Sequence, residues 1–292
     1  MAPMPKRRLA FIGLLVTVLI WGTTFVATKV ALGDTPPFTL TLLRFVFASL
    51  VLVPLAWSEQ RRAPSALSWP PLVLAGLFGG CLYFALQNLG LVYTTASKSS
   101  LILAVIPALI ALLSVLFLGE RVGPARVLGV AGSVAGVAII VIADPQATWA
   151  GGHLLGDLLT ASTALAWATY TVLSKGLNGK VTPLLLSAAT AGFGALFMLP
   201  LAGYEALTRP LPAPGLGSWL AIAYLGLIAS TLPFLFWNYA LLHIDASHAA
   251  VFTNLVPLVA VSSAVLLLHE SLTPIQLLGG ALVLGGVWAA GA

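Results

Sequence analysis

The sequence predicts an all-α membrane protein in which ten transmembrane helices form two inverted five-helix repeats around a central cavity. Three observations carry this expectation. Only 7% of the 292 residues are charged and 60% are hydrophobic, and the mean hydropathy is +1.05. The apolar residues fall into ten stretches, each near the roughly 20 residues a helix needs to cross about 30 Å of hydrocarbon. The first five stretches then return in the second half with the same residue types in the same order.

The ten segments are 9–31, 38–57, 70–92, 97–118, 124–142, 154–176, 182–203, 217–241, 246–268 and 274–291. The first follows Lys6, Arg7 and Arg8 and ends near Lys29. It is too long for the apolar core of a signal peptide, so it is expected to be retained. The second carries Arg44 about two turns in, and the fourth and ninth each carry a mid-span proline, Pro107 or Pro257. The fifth and tenth are rich in glycine (Gly129, Gly132 and Gly136; Gly279, Gly280, Gly285 and Gly286) and offer small surfaces for close packing. The tenth opens on Thr273-Pro274-Ile275-Gln276, with Thr as N-cap, Pro at the first helical position and Gln three residues after the cap. Little chain remains for a soluble domain.

The formal charge of +5 is a topology signal here. With the N-terminus inside, the cytoplasmic ends hold Lys6, Arg7, Arg8, Arg61, Arg62, Arg121, Arg126, Lys175 and Lys180, against Lys29, Lys98 and Arg209 outside. Basic loops stay in the cytoplasm, which places both termini there and argues against a nucleic-acid partner. Lys29, Lys98 and Lys175 read as interface anchors. The single cysteine, Cys81, excludes an intramolecular disulfide and a multi-thiolate metal site.

The repeat is legible residue by residue. Trp21-Gly22-Thr23-Thr24 through Lys29 answers to Trp167-Ala168-Thr169-Tyr170 through Lys175, at an offset of 146. Further on the offset is 150: Phe84 and Asn88 match Phe234 and Asn238, Ala96-Ser97-Lys98 matches Ala246-Ser247-His248, Pro107 matches Pro257, and Glu120 matches Glu270. The second and seventh helices match worst, and Arg44 has no counterpart in sequence. Five passes is an odd number, so the second unit enters the membrane upside down. The units are expected to be 1–148 and 149–292. Inverted repeats typify secondary transporters with a midplane site between the halves.

The Trp-Gly-Thr-Thr-Phe…Lys start, the Pro107 and Pro257 positions, the Gly-Glu and His-Glu turns followed by Pro, and the glycine-rich closing helix of each half together resemble the drug/metabolite transporter superfamily. The chain is most similar to its ten-helix EamA-type branch and, within it, to YddG-type bacterial amino-acid exporters. The resemblance spans essentially the whole chain. It implies a multi-pass inner-membrane carrier with a basket-like bundle, a small-molecule substrate and no cofactor. A monomer is expected, with an outward-facing dimer contact on helices five and ten as the competing use of their glycines.

The expected cavity lies among helices one, three, four, six, eight and nine. Its candidate substrate-binding residues are Trp21, Thr24, Tyr83, Gln87, Ser100, Trp167, Tyr170, Phe234, Trp237, Asn238 and Asn254, with Pro107 and Pro257 as gating kinks. For the midplane indoles the alternative is interhelical packing. For the hydroxyls it is bonding to helix carbonyls or bridging of helices, and for Asn88 and Asn238, close to helix ends, capping or interhelical bonding. Arg44 is either a functional cation or a side chain that snorkels to the interface. Glu120 and Glu270 read as structural. All eight carboxylates fall in loops or near helix ends, which favours facilitated diffusion over proton coupling.

Two other classes compete. An exporter of drugs or other metabolites coupled to protons would use an end-of-helix carboxylate. An intramembrane enzyme lacks its motifs: His269-Glu270-Ser271-Leu272-Thr273 has no second histidine for a zinc site, and no midplane aspartate pair or serine with a nearby base is present. His243 and His248 are five residues apart across a turn and suit a loop role rather than a metal pair. The chain is therefore read as a carrier and not an enzyme.

Overall fold

A computed structural model describes residues 6–62, 68–119, 124–142, 152–208 and 213–291. Glu120, Arg121, Asp144 and Arg209 lie outside the described residues. The described chain is helical throughout and forms ten rods: α1 (Lys6–Leu32), α2 (Pro37–Arg62), α3 (Trp69–Tyr93), α4 (Ala96–Leu118), α5 (Pro124–Ile142), α6 (His153–Gly176), α7 (Pro183–Thr208), α8 (Leu216–His243), α9 (246–268) and α10 (Pro274–Gly291). Each falls on one of the ten expected segments. Seven are long and apolar enough to cross a membrane by length and composition alone. α5 and α10 contribute shorter apolar stretches, Ala131–Val141 and Pro274–Gly286. α6 is more polar because it is an interior helix: Asp157, Thr160, Thr163, Thr171 and Ser174 are all buried in the bundle.

The rods are interrupted at matching places in the two halves. α3 passes through a π-helical stretch at Gly76–Leu82, and α8 does so at Tyr224–Ala229. α4 breaks at Ala104-Val105 and resumes at Ile106, while α9 tightens into a 3-10 turn at Thr253–Leu255 and resumes at Val256. Pro107 and Pro257 cause both breaks. Proline donates no backbone hydrogen bond, and its ring crowds the carbonyl four residues earlier. α4 ends on Gly119 with φ +70°, and α9 ends on His269 with φ +55°, at equivalent positions.

Side-chain contacts display the inversion directly. Trp21 and Trp167, equivalent in sequence, meet edge to face with ring centroids 5.0 Å apart. Residues related by a two-fold touch each other only near its axis. Asn88 Nδ2 on α3 donates to Thr41 Oγ1 on α2 (2.8 Å), and Asn238 Nδ2 on α8 donates to Ser187 Oγ on α7 (3.0 Å). Glu205 at the end of α7 accepts from Phe38 N, Thr39 N and Thr39 Oγ1 at the start of α2. Glu59 at the end of α2 returns the contact, accepting from Thr182 Oγ1 at the start of α7 (2.6 Å). The end of each antiparallel helix thus meets the start of the other: Glu205 takes unpaired backbone donors of α2 directly, and Glu59 holds the Thr182 hydroxyl that itself accepts from Leu185 N.

α5 and α10 pack backbone to backbone, as their glycines predict. An added Cβ on Gly136 would stand 2.7 Å from the Gly279 carbonyl oxygen, and one on Gly286 would stand 2.6 Å from that of Gly129. Gly280 instead faces Leu101 of α4, and Gly285 faces open space. The outside of the bundle carries Leu50, Leu116, Phe117, Leu207 and Leu266, an apolar surface suited to lipid. Polar residues are packed inward.

Candidate functional site

A cavity of about 50 Å³ lies between the repeats, lined by α1, α2, α3, α4, α6 and α9. Trp21 and Thr24 come from α1, Tyr83 and Gln87 from α3, Ser100 from α4, Trp167 from α6 and Pro257 from α9. These seven are expected candidates that the structure brings together. Thr24 Oγ1 donates to the Trp21 carbonyl (2.6 Å) and Ser100 Oγ to the Ser97 carbonyl (2.7 Å), so each hydroxyl satisfies its own helix while lining the space. At about 30 Å³ of liquid volume per water the cavity has room for about one or two waters, and a metabolite requires it to widen.

The other six candidates do not reach this space, and the reason is packing behind a first ring. Tyr170, Phe234 and Trp237 are fully buried and stack against the cavity wall from outside it. The Trp167 ring lies 5.0 Å from Tyr170, 5.7 Å from Phe234 and 5.9 Å from Trp237. Asn238 is held between Tyr170 OH and Ser187 Oγ, an interhelical bond. Asn254 sits on the 3-10 turn of α9, where its neighbour Thr253 lines the cavity in its place. Pro107 is buried in α4, with Ile106 reaching the cavity instead. α8 contributes no lining, because Phe234 and Trp237 stand one layer back.

Arg44 lines the cavity. Its side chain does not snorkel: the residue is 2% exposed. Nε donates to Ser230 Oγ of α8 (2.5 Å), and the guanidinium carbon stands 4.1 Å from the centroid of the Phe84 ring. α2 is an amphipathic entry into the bundle here, since Leu40, Thr41, Arg44, Phe45 and Ala48 are all buried at helical spacing. Phe25, Phe84, Leu103, Ala104, Ile106, Thr253 and Val256 complete the lining. Their aliphatic and small residue types carry no signal in sequence that separates them from ordinary core.

The two ends of the bundle differ. At the end away from the N-terminus, Lys98 is not the interface anchor its position predicts. Its Nζ lies 2.5 Å from Asp157 Oδ2, with the two side chains 3% and 0% exposed. Thr94 Oγ1 donates to the other oxygen of Asp157 (2.9 Å). Glu270 closes the same end, accepting from Ala96 N (2.9 Å) and Ser97 N (2.8 Å) at the start of α4. That is the structural role expected of it. The expected Thr273 cap is also present as a reciprocal pair, Gln276 N to Thr273 Oγ1 and Thr273 N to Gln276 Oε1.

At the N-terminal end, an open vestibule of about 710 Å³ is lined by Arg7, Phe11, Lys175, His243, Asp245, His248 and Phe252, among others. His248 and Phe11 are the repeat counterparts of Lys98 and Asp157, and both line this opening. The His248 and Asp245 side chains are 68% and 67% exposed. Phe11 and Phe252 stack at 5.6 Å, and the next residue, Thr253, already lines the cavity. Lys175 Nζ ties α6 to the end of α8 through the Leu241 and Ile244 carbonyls. His243 Nδ1 bonds the Tyr239 carbonyl. Among the described residues no cluster of His, Cys, Asp or Glu could hold a metal ion.

Known proteins share this architecture. The sequence pattern of the EamA-like transporter family matches residues 8–142 and again 154–291. An uncharacterized transporter of Archaeoglobus fulgidus is 31% identical over 94% of this chain and 94% of its own length. A probable terminal-alkyne amino-acid exporter of Streptantibioticus cattleyicolor is 31% identical over 94% of this chain and 90% of its own. A solved crystal structure superposes with a TM-score of 0.70 at 25% identity, covering 98% of this chain and 99% of that one. Two copies of one family pattern, at the two halves that the Trp21–Trp167 contact joins, identify the chain as a member of the EamA-like transporter family, within the drug/metabolite transporter superfamily.

Proposed function

We propose that the protein exports amino acids, aromatic ones included, and similar small metabolites from the cytoplasm by alternating access and without ion coupling. The observation that carries this reading is the cavity between the halves, walled by Trp21, Trp167 and Tyr83 with Thr24, Gln87 and Ser100 among them. Aromatic faces suit apolar side chains, and the hydroxyls and amide suit the polar ends. The likeness to a probable amino-acid exporter supports the same cargo. No carboxylate lines the cavity among the described residues, which supports facilitated movement.

The units that move are 1–148 and 149–292. With both termini in the cytoplasm of a bacterial inner membrane, as the charge bias favours, the vestibule opens inward and the Lys98–Asp157 end is the shut, outer one. A monomer suffices for this cycle, because the cavity is built within one chain.

Proteoliposomes loaded with a panel of labelled amino acids test the reading, with and without a pH gradient. Efflux that Trp21→Ala and Trp167→Ala slow at least tenfold is the expected result. Efflux that needs the gradient would replace facilitated export by proton coupling. Lipid or peptide turnover without flux would make the protein an enzyme.

A further inference from the structure

We propose that Arg44 is the carboxylate anchor of the cavity, so that a carboxylate is the group a cargo must carry. This rests on the export reading and deepens it by naming what the site recognises. Four observations support it. Arg44 is buried and lines the cavity. Its Nε and one face of the guanidinium are committed to Ser230 and Phe84, while its two terminal amino groups have no hydrogen-bond partner among the described residues. Neither of the carboxylates near that end of α2 pairs with it. Glu205 is held by the start of α2, and Asp34 by Gly215 N and Ser218 Oγ.

The fourth observation is the broken symmetry. Where α3 crosses α7, Gly80 meets Gly194, with an added Cβ on Gly80 only 2.7 Å from the Gly194 Cα. At the matching crossing of α8 with α2, an added Cβ on Gly226 would stand 2.8 Å from the Arg44 carbonyl oxygen. Helices α2 and α7 align at an offset of 146, so the counterpart of Arg44 on α7 is Thr190, a buried neutral residue whose Oγ1 donates to the Leu186 carbonyl and whose own carbonyl would stand 2.5 Å from a Cβ on Gly80. The equivalent position is filled once by a neutral threonine and once by a guanidinium. The scaffold therefore does not need the charge.

An unpaired cation in a membrane interior is unfavourable, and an anion arriving between its free amino groups relieves that. The guanidinium fork matches a carboxylate bidentately. Trp21, Trp167 and Tyr83 stand beside it for the rest of an amino acid. A cargo with an amine and no carboxylate meets a like charge instead.

The test uses L-phenylalanine, 3-phenylpropionate and phenethylamine, which differ only in the charged groups they carry. In proteoliposomes of the full chain, phenylalanine and 3-phenylpropionate are expected to inhibit amino-acid efflux at least tenfold more strongly than phenethylamine. Arg44→Gln removes that discrimination, and Arg44→Lys keeps part of it. Equal inhibition by phenethylamine, or discrimination that survives in Arg44→Gln, would overturn the proposal. A purely structural arginine would lower thermal stability and leave the ligand ranking unchanged.

The wild-type series needs no variant, so misfolding of Arg44→Gln does not decide the matter. If the vesicles move no amino acid, the export reading fails by itself. Thermal stabilisation of the detergent-purified chain by 3-phenylpropionate and not by phenethylamine still upholds the anchor, and the reverse ranking overturns it. Equal stabilisation by inorganic phosphate would replace the carboxylate by a general anion and overturn it too.

Discussion

Lys98 Nζ lies 2.5 Å from Asp157 Oδ2, buried at the end of the bundle away from the N-terminus, and the pair joins α4 of one repeat to α6 of the other. Breaking a buried ion pair by removing one charge costs roughly 3–5 kcal/mol. Spent on one end of a two-state gate, even a third of that shifts the equilibrium about tenfold. Asp157→Asn is therefore expected to open this end. In a Cys81→Ala background, a cysteine at Ser97 should react at least tenfold faster with an impermeant maleimide added from outside. Unchanged labelling would show that the pair is not a latch.

Much of the architecture was open to reading in the sequence, for physical reasons that particular residues display. Spanning length, the Pro107 and Pro257 breaks and the glycines of α5 and α10 are local properties of the chain, and they stand where they were expected, apart from Gly280, which faces α4, and Gly285, which faces open space. The Glu59–Thr182 and Glu205–Thr39 exchange was not legible, because it lies in the two helices whose sequences diverge most. The Lys98–Asp157 pair was hidden because both residues sit near helix ends, where position alone implies water. The cavity wall was legible only in part. Helical spacing reveals a face, and Trp167, Tyr170, Phe234 and Trp237 are all inward-facing aromatics. It does not reveal which of them forms the first layer and which supports it.

Asp34, in the loop between α1 and α2, provides a pH-dependent tie. Its Oδ2 accepts from Ser218 Oγ (2.8 Å) and Gly215 N (3.0 Å) at the start of α8. The Ser218 bond first, and the Gly215 bond second, hold its carboxyl below the ordinary value of 3.8. A carboxyl whose folded pKa is depressed contributes stability that is full above the unfolded value and lost as pH falls through the folded one. Melting curves of wild type and Asp34→Asn should differ at pH 6–7, begin to draw together only below about pH 4, and converge once the pH has fallen through the depressed folded value. A gap that persists in acid would assign the effect to something other than this carboxylate.

The α5–α10 seam predicts opposite outcomes for two glycines of the same stripe. An alanine at Gly136 would press its Cβ to 2.7 Å from the Gly279 carbonyl oxygen and 2.8 Å from Val283 N, both backbone atoms with little freedom to move. Overpacking of this kind costs about 1–3 kcal/mol. Gly285 has nothing within 4 Å of an added Cβ, and alanine there gains up to about 1 kcal/mol of helix propensity. Thermal midpoints in detergent should fall for Gly136→Ala and hold or rise for Gly285→Ala. Equal effects would mean the two helices do not meet along this face.

The last residue of each proline-broken helix offers a comparison within one molecule. Gly119 ends α4 with φ +70° and ψ +20°, donating its N–H to the Ser114 carbonyl; His269 ends α9 with φ +55° and ψ +32°, donating to that of Ala264. The geometry is the same left-handed cap, and only the second repeat fills it with a side chain. A residue with a Cβ in that region is strained by roughly 1–2 kcal/mol relative to glycine, whose own extra freedom in the unfolded chain offsets part of the difference. His269→Gly is therefore expected to stabilise the protein by up to about 1 kcal/mol. His269→Val should destabilise it, because a β-branched residue tolerates positive φ least. Neither change removes the carboxylate of the adjacent Glu270, which holds Ala96 N and Ser97 N, so His269→Gly should keep wild-type flux while its melting point rises. If flux falls as stability rises, the strained cap is part of the moving machinery, and the turn between α9 and α10 must relax during the cycle.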